Sequence, residues 1–461
     1  MPLFSHSPRR SRKALVNRPE VDVPITTSLL AVFAFAGALV AAFFLKSSRF
    51  VFDNIFLPLL EKGPAAFAVG SFLVITLAAV AVGLLLGRIR PQASGSGIPQ
   101  LKVAFHGHSG RIPVVDILVK FVAGVLSLGG GFSLGNEGPT IFSAGATSSA
   151  CAGAFGLTDR KRKAACAAGA AAGLASAFNA PLASVTFVIE EIAEGIFGRH
   201  LGGLLMAGVI GAGTSWLLVG RHPAYILQTL TDVRLHNESY FLIPFAALFA
   251  AVVGIWFQHR VLRWRQLVRG FRRIPAWCRP VLGAWLVWVA GIAVWAATGH
   301  IGVFSLGYAD LASALRGDIA WHVALLLLLG KLVATTMAFS WGGMGGVFAP
   351  SLFFGAMAGA AVAGFARTLG LDIGPQGMTV LALVGMSACF GTVDRAPLTA
   401  ILIVFEMTGR YEILPFLMIG TVVSQAYAYY FSEKLNLYDS IIRQDAVAAA
   451  EAAGLYGPSG K

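Results

Sequence analysis

The sequence predicts an all-α polytopic membrane protein whose helices come as a duplicated set, on three observations. First, only 12% of the 461 residues are charged, 56% are apolar and the mean hydropathy is +0.74. An ordinary soluble domain carries about 25% charged residues, and this chain has too few to cover a water-facing surface. The same apolar content excludes a disordered chain. Second, long runs free of Asp, Glu, Lys and Arg recur along the sequence. Third, one ordered set of landmarks appears twice.

The uncharged runs cover residues 24–45, 63–87, 138–158, 164–189, 201–220, 239–258, 280–299, 332–366, 373–393 and 413–432. A spanning helix needs about 20 apolar residues, and most of these suffice. Two features break the simple pattern. The 332–366 run is interrupted by a glycine-rich stretch between Trp341 and Pro350, and the short segment 121–136 carries Gly129-Gly130-Gly131. Broken helices at membrane depth are tolerated only where protein buries them or where they line a cavity. Re-entrant or discontinuous helices of the transporter and channel kind are therefore expected.

The repeat is visible within the chain. Lys120 and Ala123 pair with Lys331 and Ala334, and the Gly135–Pro139 segment pairs with Gly346–Pro350, both at an offset of 211 residues. Ala180-Pro181-Leu182 pairs with Ala396-Pro397-Leu398 at an offset of 216, and Glu190 and Glu406 each lie nine residues beyond that proline. The expected organisation is a first repeat over 24–220 and a second over 221–440. A basic cytoplasmic segment (1–23) precedes them and a short cytoplasmic tail (441–461), too small for a regulatory domain, follows. The residues alone leave parallel and inverted repeats both open.

The net charge of +13 does not point to nucleic acid. The cations sit in short patches, such as Arg160 to Lys163 and 260–273, between long neutral runs, as cytoplasmic loops do under the positive-inside rule. The four cysteines, Cys151, Cys166, Cys278 and Cys389, form no CxxC pair, which makes a disulfide framework or thiolate metal site unexpected. The nine histidines show no metal spacing, and no cofactor is expected. The first apolar run is too long for a cleaved secretory signal.

Three segments share one design: Gly95-Ser96-Gly97-Ile98-Pro99, Gly135-Asn136-Glu137-Gly138-Pro139 and Gly345-Gly346-Val347-Phe348-Ala349-Pro350. Each ends in a proline that opens an apolar stretch. Proline suits the first helical turn, where its missing N–H would have no partner. The glycines permit tight backbone paths and close approach to a ligand. Each segment reads as a helix N-terminus, with free N–H groups and about half a positive charge. Several such ends converging make an anion site without a full countercharge. Taken singly, each segment could equally be a packing turn.

These motifs, in this order and with a tyrosine near the last helix, resemble the signature of the CLC chloride channels and transporters. The similarity also runs through 165–191 and 395–408, and it extends from about Pro24 to Ile442. It implies an inverted repeat of many tilted, partly re-entrant helices, assembled as a homodimer in the lipid bilayer with an anion pathway in each subunit. It implies that Ser96 and Tyr438 present hydroxyls to a central anion, and that the backbone of Val347 and Phe348, with Gly138, completes the anion site. Glu137 would be the gating glutamate, occupying an anion position when ionised and swinging away when protonated. Glu191 would be the internal proton-transfer glutamate. Exchangers usually carry an acid there, whereas channels usually carry an apolar residue. The expected function is thus exchange of chloride for protons, with a passive chloride channel or an exchanger of nitrate or fluoride as alternatives.

The physics of the residues agrees. Glu137, Glu190, Glu191 and Glu406 are flanked by apolar sequence, where a charge costs about 2.5–3.5 kcal/mol on insertion scales. Glu190 and Glu406 read as structural acids bonding helix ends. Lys120 and Lys331 could be counter-ions to these acids or could reach to an interface. One departure stands out: most of the family carries Arg or Lys where this chain has Asn136. An intramembrane enzyme is not expected, because HExxH is absent and Ser96 lies in a Ser-Gly-Ser-Gly context. A bacterial inner-membrane location with both termini cytoplasmic is the expected setting.

Overall fold

The protein is seen in a computed structural model that describes residues 27–193, 201–220, 235–271, 273–431 and 435–452. The basic segment 1–23 lies outside these residues. The first half holds α1 (Thr27–Val51), α2 (Pro58–Glu61), α3 (Pro64–Leu84), α4 (Ile98–Gly107) and α5 (Val114–Gly129). It continues with α6 (Glu137–Ala154), α7 (Asp159–Phe178), α8 (Pro181–Phe187) and α9 (Leu201–Leu218). The second half begins with α10 (Asn237–Gly270), α11 (Arg279–Thr298), α12 (Tyr308–Arg316) and α13 (Trp321–Ser340). It ends with α14 (Phe348–Thr368), α15 (Pro375–Asp394), α16 (Pro397–Thr408), α17 (Leu414–Phe431) and α18 (Leu437–Ala452). Part of the expected tail, up to Ala452, is thus helix α18. Among the described residues, nine helical stretches are long and apolar enough to cross a membrane.

Helix starts follow the prolines. Pro64, Pro181, Pro375 and Pro397 each occupy the first turn of their helix, where the absent N–H costs nothing. The uncharged run 164–189 does not form one helix. It breaks at Asn179, which is left-handed with φ 55°, and resumes at Pro181. The same break recurs at Arg395 (φ 52°) before Pro397. The residue before a proline is pushed out of the α region, and Ala180 (φ −128°, ψ 80°) and Ala396 (φ −114°, ψ 78°) are both displaced in this way.

The middle of the molecule is α14 against α15. Gly355 and Gly385 face each other so closely that a Cβ on either would lie 2.1–2.2 Å from the other's carbonyl oxygen. A Cβ on Gly359 would meet Leu381 O at 2.1 Å. Small residues at such positions let backbones meet where no hydrophobic force drives helices together. Outer helices do the reverse: Leu73 and Leu77 of α3, Val289 of α11 and Val422 of α17 point outward, as a hydrocarbon-facing rim requires.

The two halves meet reciprocally. Gly135 and Gly346 exchange both N–H···O bonds at 2.8 Å in an antiparallel bridge. Glu190 accepts the N–H groups of Leu398 and Thr399 at the start of α16, at 3.0 and 2.9 Å. Glu406 accepts those of Leu182 and Ala183 at the start of α8, at 2.9 and 2.8 Å. When each half offers the other the same contact, the operator is a two-fold axis.

Lys120 and Lys331 behave differently from either expectation. Both are buried, and neither pairs with a repeat glutamate. Lys120 donates to Gly95 O at 3.0 Å and lies over the Phe142 ring. Lys331 donates to Gly302 O at 2.8 Å and Ser305 O at 2.6 Å, over the Phe353 ring. Broken helices leave carbonyls that no water reaches, and an ammonium with three donors gathers them.

The α14–α15 contact yields a prediction. Gly385→Val must force these helices apart and is expected to cost about 3 kcal/mol. Gly213→Ala, where a Cβ meets nothing within 4 Å, should leave stability unchanged. Thermal unfolding of the detergent-solubilised variants measures both.

Candidate functional site

The three Gly/Pro segments come together. They open α4, α6 and α14. Gly138 lies at their junction, where an added Cβ would meet Ser96 O at 2.3 Å and Gly346 Cα at 3.3 Å. Gly97, at φ 110°, brings the start of α4 against Gly138 O, which a Cβ there would meet at 2.7 Å. The sequence-predicted site residues Ser96, Glu137, Gly138, Val347, Phe348 and Tyr438 are all buried.

Glu137 is fully buried, and its carboxylate sits in a pocket made by missing side chains. A Cβ at Gly135 or Gly346 would lie 2.0–2.1 Å from its carboxyl oxygens. Oε1 accepts the N–H of Phe348 at 2.7 Å. Phe348 is 211 residues away, so the acid rests on the N–H of its own repeat mate. Val347 is the N-cap of α14, and the carboxylate thereby takes the place an anion would take at that helix end. The Phe348 ring is held by Phe178 and Phe390, with centroids 4.9 and 4.1 Å away.

Ser96 Oγ and Tyr438 Oη are buried without a hydrogen-bond partner among the described residues, as is Glu137 Oε2. Buried hydroxyls are ordinarily bonded, so the donor set fits a small anion. Ser96 also lines a cavity of about 850 Å³ together with Gln100, Lys120, Arg111, Arg265 and Arg269. Asn136 hydrogen-bonds the Tyr308 hydroxyl near Glu137.

Glu191 is apart from this cluster and also buried. Helix α8 ends in a π-helical turn, Val188–Ile192, that holds both Glu190 and Glu191. Such turns recur at functional positions. Glu190 faces α16, whereas Glu191 accepts Asn436 Nδ2 at 2.6 Å and pairs with Lys102 Nζ at 3.3 Å. Lys102 also holds Asp439 at 2.6 Å, and Asn436 Oδ1 accepts the Asp439 N–H at 2.7 Å. Tyr438 lies between those two residues, so Glu191 is tied to the start of the tyrosine's own helix. The sequence reading did not find Lys102, Asn436 or Asp439. The available signals were a lysine inside apolar α4 and an Asn-x-x-Asp at the head of α18, a helix-capping pattern.

A helical membrane protein with broken helix ends around a buried carboxylate is of the class that handles an ion within the bilayer. Residues 78–429 match the model of the family described as voltage gated chloride channel. The chain is 31% identical over 442 residues to an H(+)/Cl(−) exchange transporter ClcA of Yersinia pseudotuberculosis, covering 93% of this chain and 89% of that protein. It is 32% identical over 371 residues to ClcA of Vibrio cholerae, covering 77% and 78%. The crystal structure of a slow cyanobacterial Cl−/H+ antiporter superposes with a TM-score of 0.80 at 26% identity, over 92% of this chain and 98% of that one. This chain therefore belongs to the voltage-gated chloride channel family.

Removing one partner of a buried ion pair strands the other, at about 3–5 kcal/mol. Lys102→Met is expected to lower the unfolding temperature sharply. Adding Glu191→Gln to the same chain should recover part of the loss. Thermal scans of both variants in detergent read out the difference.

Proposed function

We propose that the protein is a secondary active transporter that exchanges chloride for protons, not an enzyme. The observation that carries this reading is the Glu137 carboxylate resting on the Phe348 N–H where three helix N-termini meet. A carboxylate and an anion cannot share that place. When ionised, Glu137 fills it. When protonated, it loses its charge and its claim on the N–H dipoles, and the anion enters. Ser96 and Tyr438 then give hydroxyls to the anion, and Val347, Phe348 and Gly138 give backbone. Each proton taken by Glu137 is thereby linked to an anion admitted.

Glu191 supplies the second proton position, on the other side of the anion site. Lys102 and Asn436 hold its carboxylate in place, and the relatives named as exchangers support the coupling. Arg265 and Arg269 in the lining of the Ser96 cavity belong to the basic patch at 260–273 that marks a cytoplasmic loop, so that cavity is the cytoplasmic mouth and Glu137 faces outward. The setting is a bacterial inner membrane, with both termini cytoplasmic and two copies in a homodimer, each with its own pathway.

Reconstituted in liposomes with a chloride gradient, no pH gradient and voltage clamped by valinomycin, the protein is expected to drive protons uphill. Glu137→Ala should keep chloride flux and lose proton movement. Glu191→Gln should also lose it, with slower chloride flux. Chloride flux without protons in the unaltered protein would instead make it a passive channel.

A further inference from the structure

We propose that Asp394 is a third proton-carrying carboxyl, placed between Glu191 and Glu137 and handing protons from one to the other. The proposal rests on the exchanger reading above and adds a residue to its proton route. Asp394 is the last residue of α15, just before the left-handed Arg395. It is completely buried, and neither carboxyl oxygen has a hydrogen-bond partner among the described residues.

That combination needs a reason. An aspartate kept for structure bonds something, as Glu190 and Glu406 do at helix ends. Among the described residues Asp394 bonds nothing, and Arg395 and Lys102 have partners of their own. The Arg395 guanidinium donates to Ala428 O at 3.0 Å, and Lys102 is shared by Glu191 and Asp439. An ionised carboxylate in that position is a buried charge without a donor, so the side chain rests with its proton on.

Its surroundings show where the proton can go. Four residues before it in α15, Phe390 packs on Phe348, whose N–H holds Glu137; four and five residues after it, Leu398 and Thr399 give their N–H groups to Glu190, the chain neighbour of Glu191. Asp394 gives its proton to ionised Glu137, which is neutralised and leaves the anion position. The Asp394 carboxylate then takes a proton from Glu191. The Glu191 carboxylate left behind is the one with an ammonium beside it, Lys102. Each step moves one proton between carboxyls, directly or through water, and needs no other reactant.

The test uses the full chain in the liposome assay, with chloride and proton fluxes recorded together. Asp394→Asn keeps the shape and removes the exchangeable proton. It is expected to leave chloride flux within about twofold and to lower proton flux about a hundredfold, the lower end of what a lost acid–base group costs. Asp394→Glu should restore proton flux. If Asp394→Asn does not reconstitute, Asp394→Val carries the same comparison. An unchanged proton-to-chloride ratio and rate in the Asn or Val variant would overturn the proposal. So would a parallel fall of both fluxes, which is what a structural role gives. Unaltered protein that moves chloride but no protons would overturn the exchanger reading as well, whereas coupling that survives loss of Asp394 would overturn the relay alone.

Discussion

Two glycines 211 residues apart hold each other by a pair of backbone hydrogen bonds, Gly135 with Gly346, and the position of the site follows from that bridge. Inside a bilayer no water satisfies a loose N–H or carbonyl, so a chain that breaks its helices must satisfy them from elsewhere in itself. Here each half supplies what the other lacks. Joining the two breaks at their glycines brings Glu137 two residues along one strand to face Phe348 two residues along the other. The absence of side chains at 135 and 346 then leaves room for the carboxylate.

Four glutamates in apolar sequence have met two fates, decided by their neighbours. Glu190 and Glu406 each cover two amides at a helix start, which uses both oxygens and ties the halves together. Glu137 rests Oε1 on the Phe348 amide, and its Oε2 has no hydrogen-bond partner among the described residues. Glu191 pairs with the Lys102 ammonium and accepts from the Asn436 side-chain amide. The first pair holds the frame.

Much of this was legible in the residues. The Gly/Pro segments told where helices begin, because proline and glycine act through local backbone geometry. The repeat told which segments would be mates, and Glu190 and Glu406 read correctly as helix-end acids. What escaped was long-range. Lys102 lies 89 residues from Glu191 and 337 from Asp439, with no spacing to connect them. Lys120 and Lys331 read as counter-ions or as chains reaching to an interface, yet broken helices left carbonyls in need of donors. The 164–189 run hid its break at Asn179 because composition records apolarity and not direction. Asp394 went unremarked because, next to Arg395, it resembles a charge at a loop.

The π-helical turn at Val188–Ile192 has a counterpart in the second half that is wound regularly, since α16 continues unbroken from Pro397 to Thr408. A machine with strict internal symmetry has no preferred side: whatever it does from one face it does equally from the other. A π-helical turn that carries Glu191 in one half and is unmatched in α16 is one departure from that symmetry, as Glu137 opposite its repeat mate Phe348 is another. The winding of five residues thus helps to tell one face of the molecule from the other.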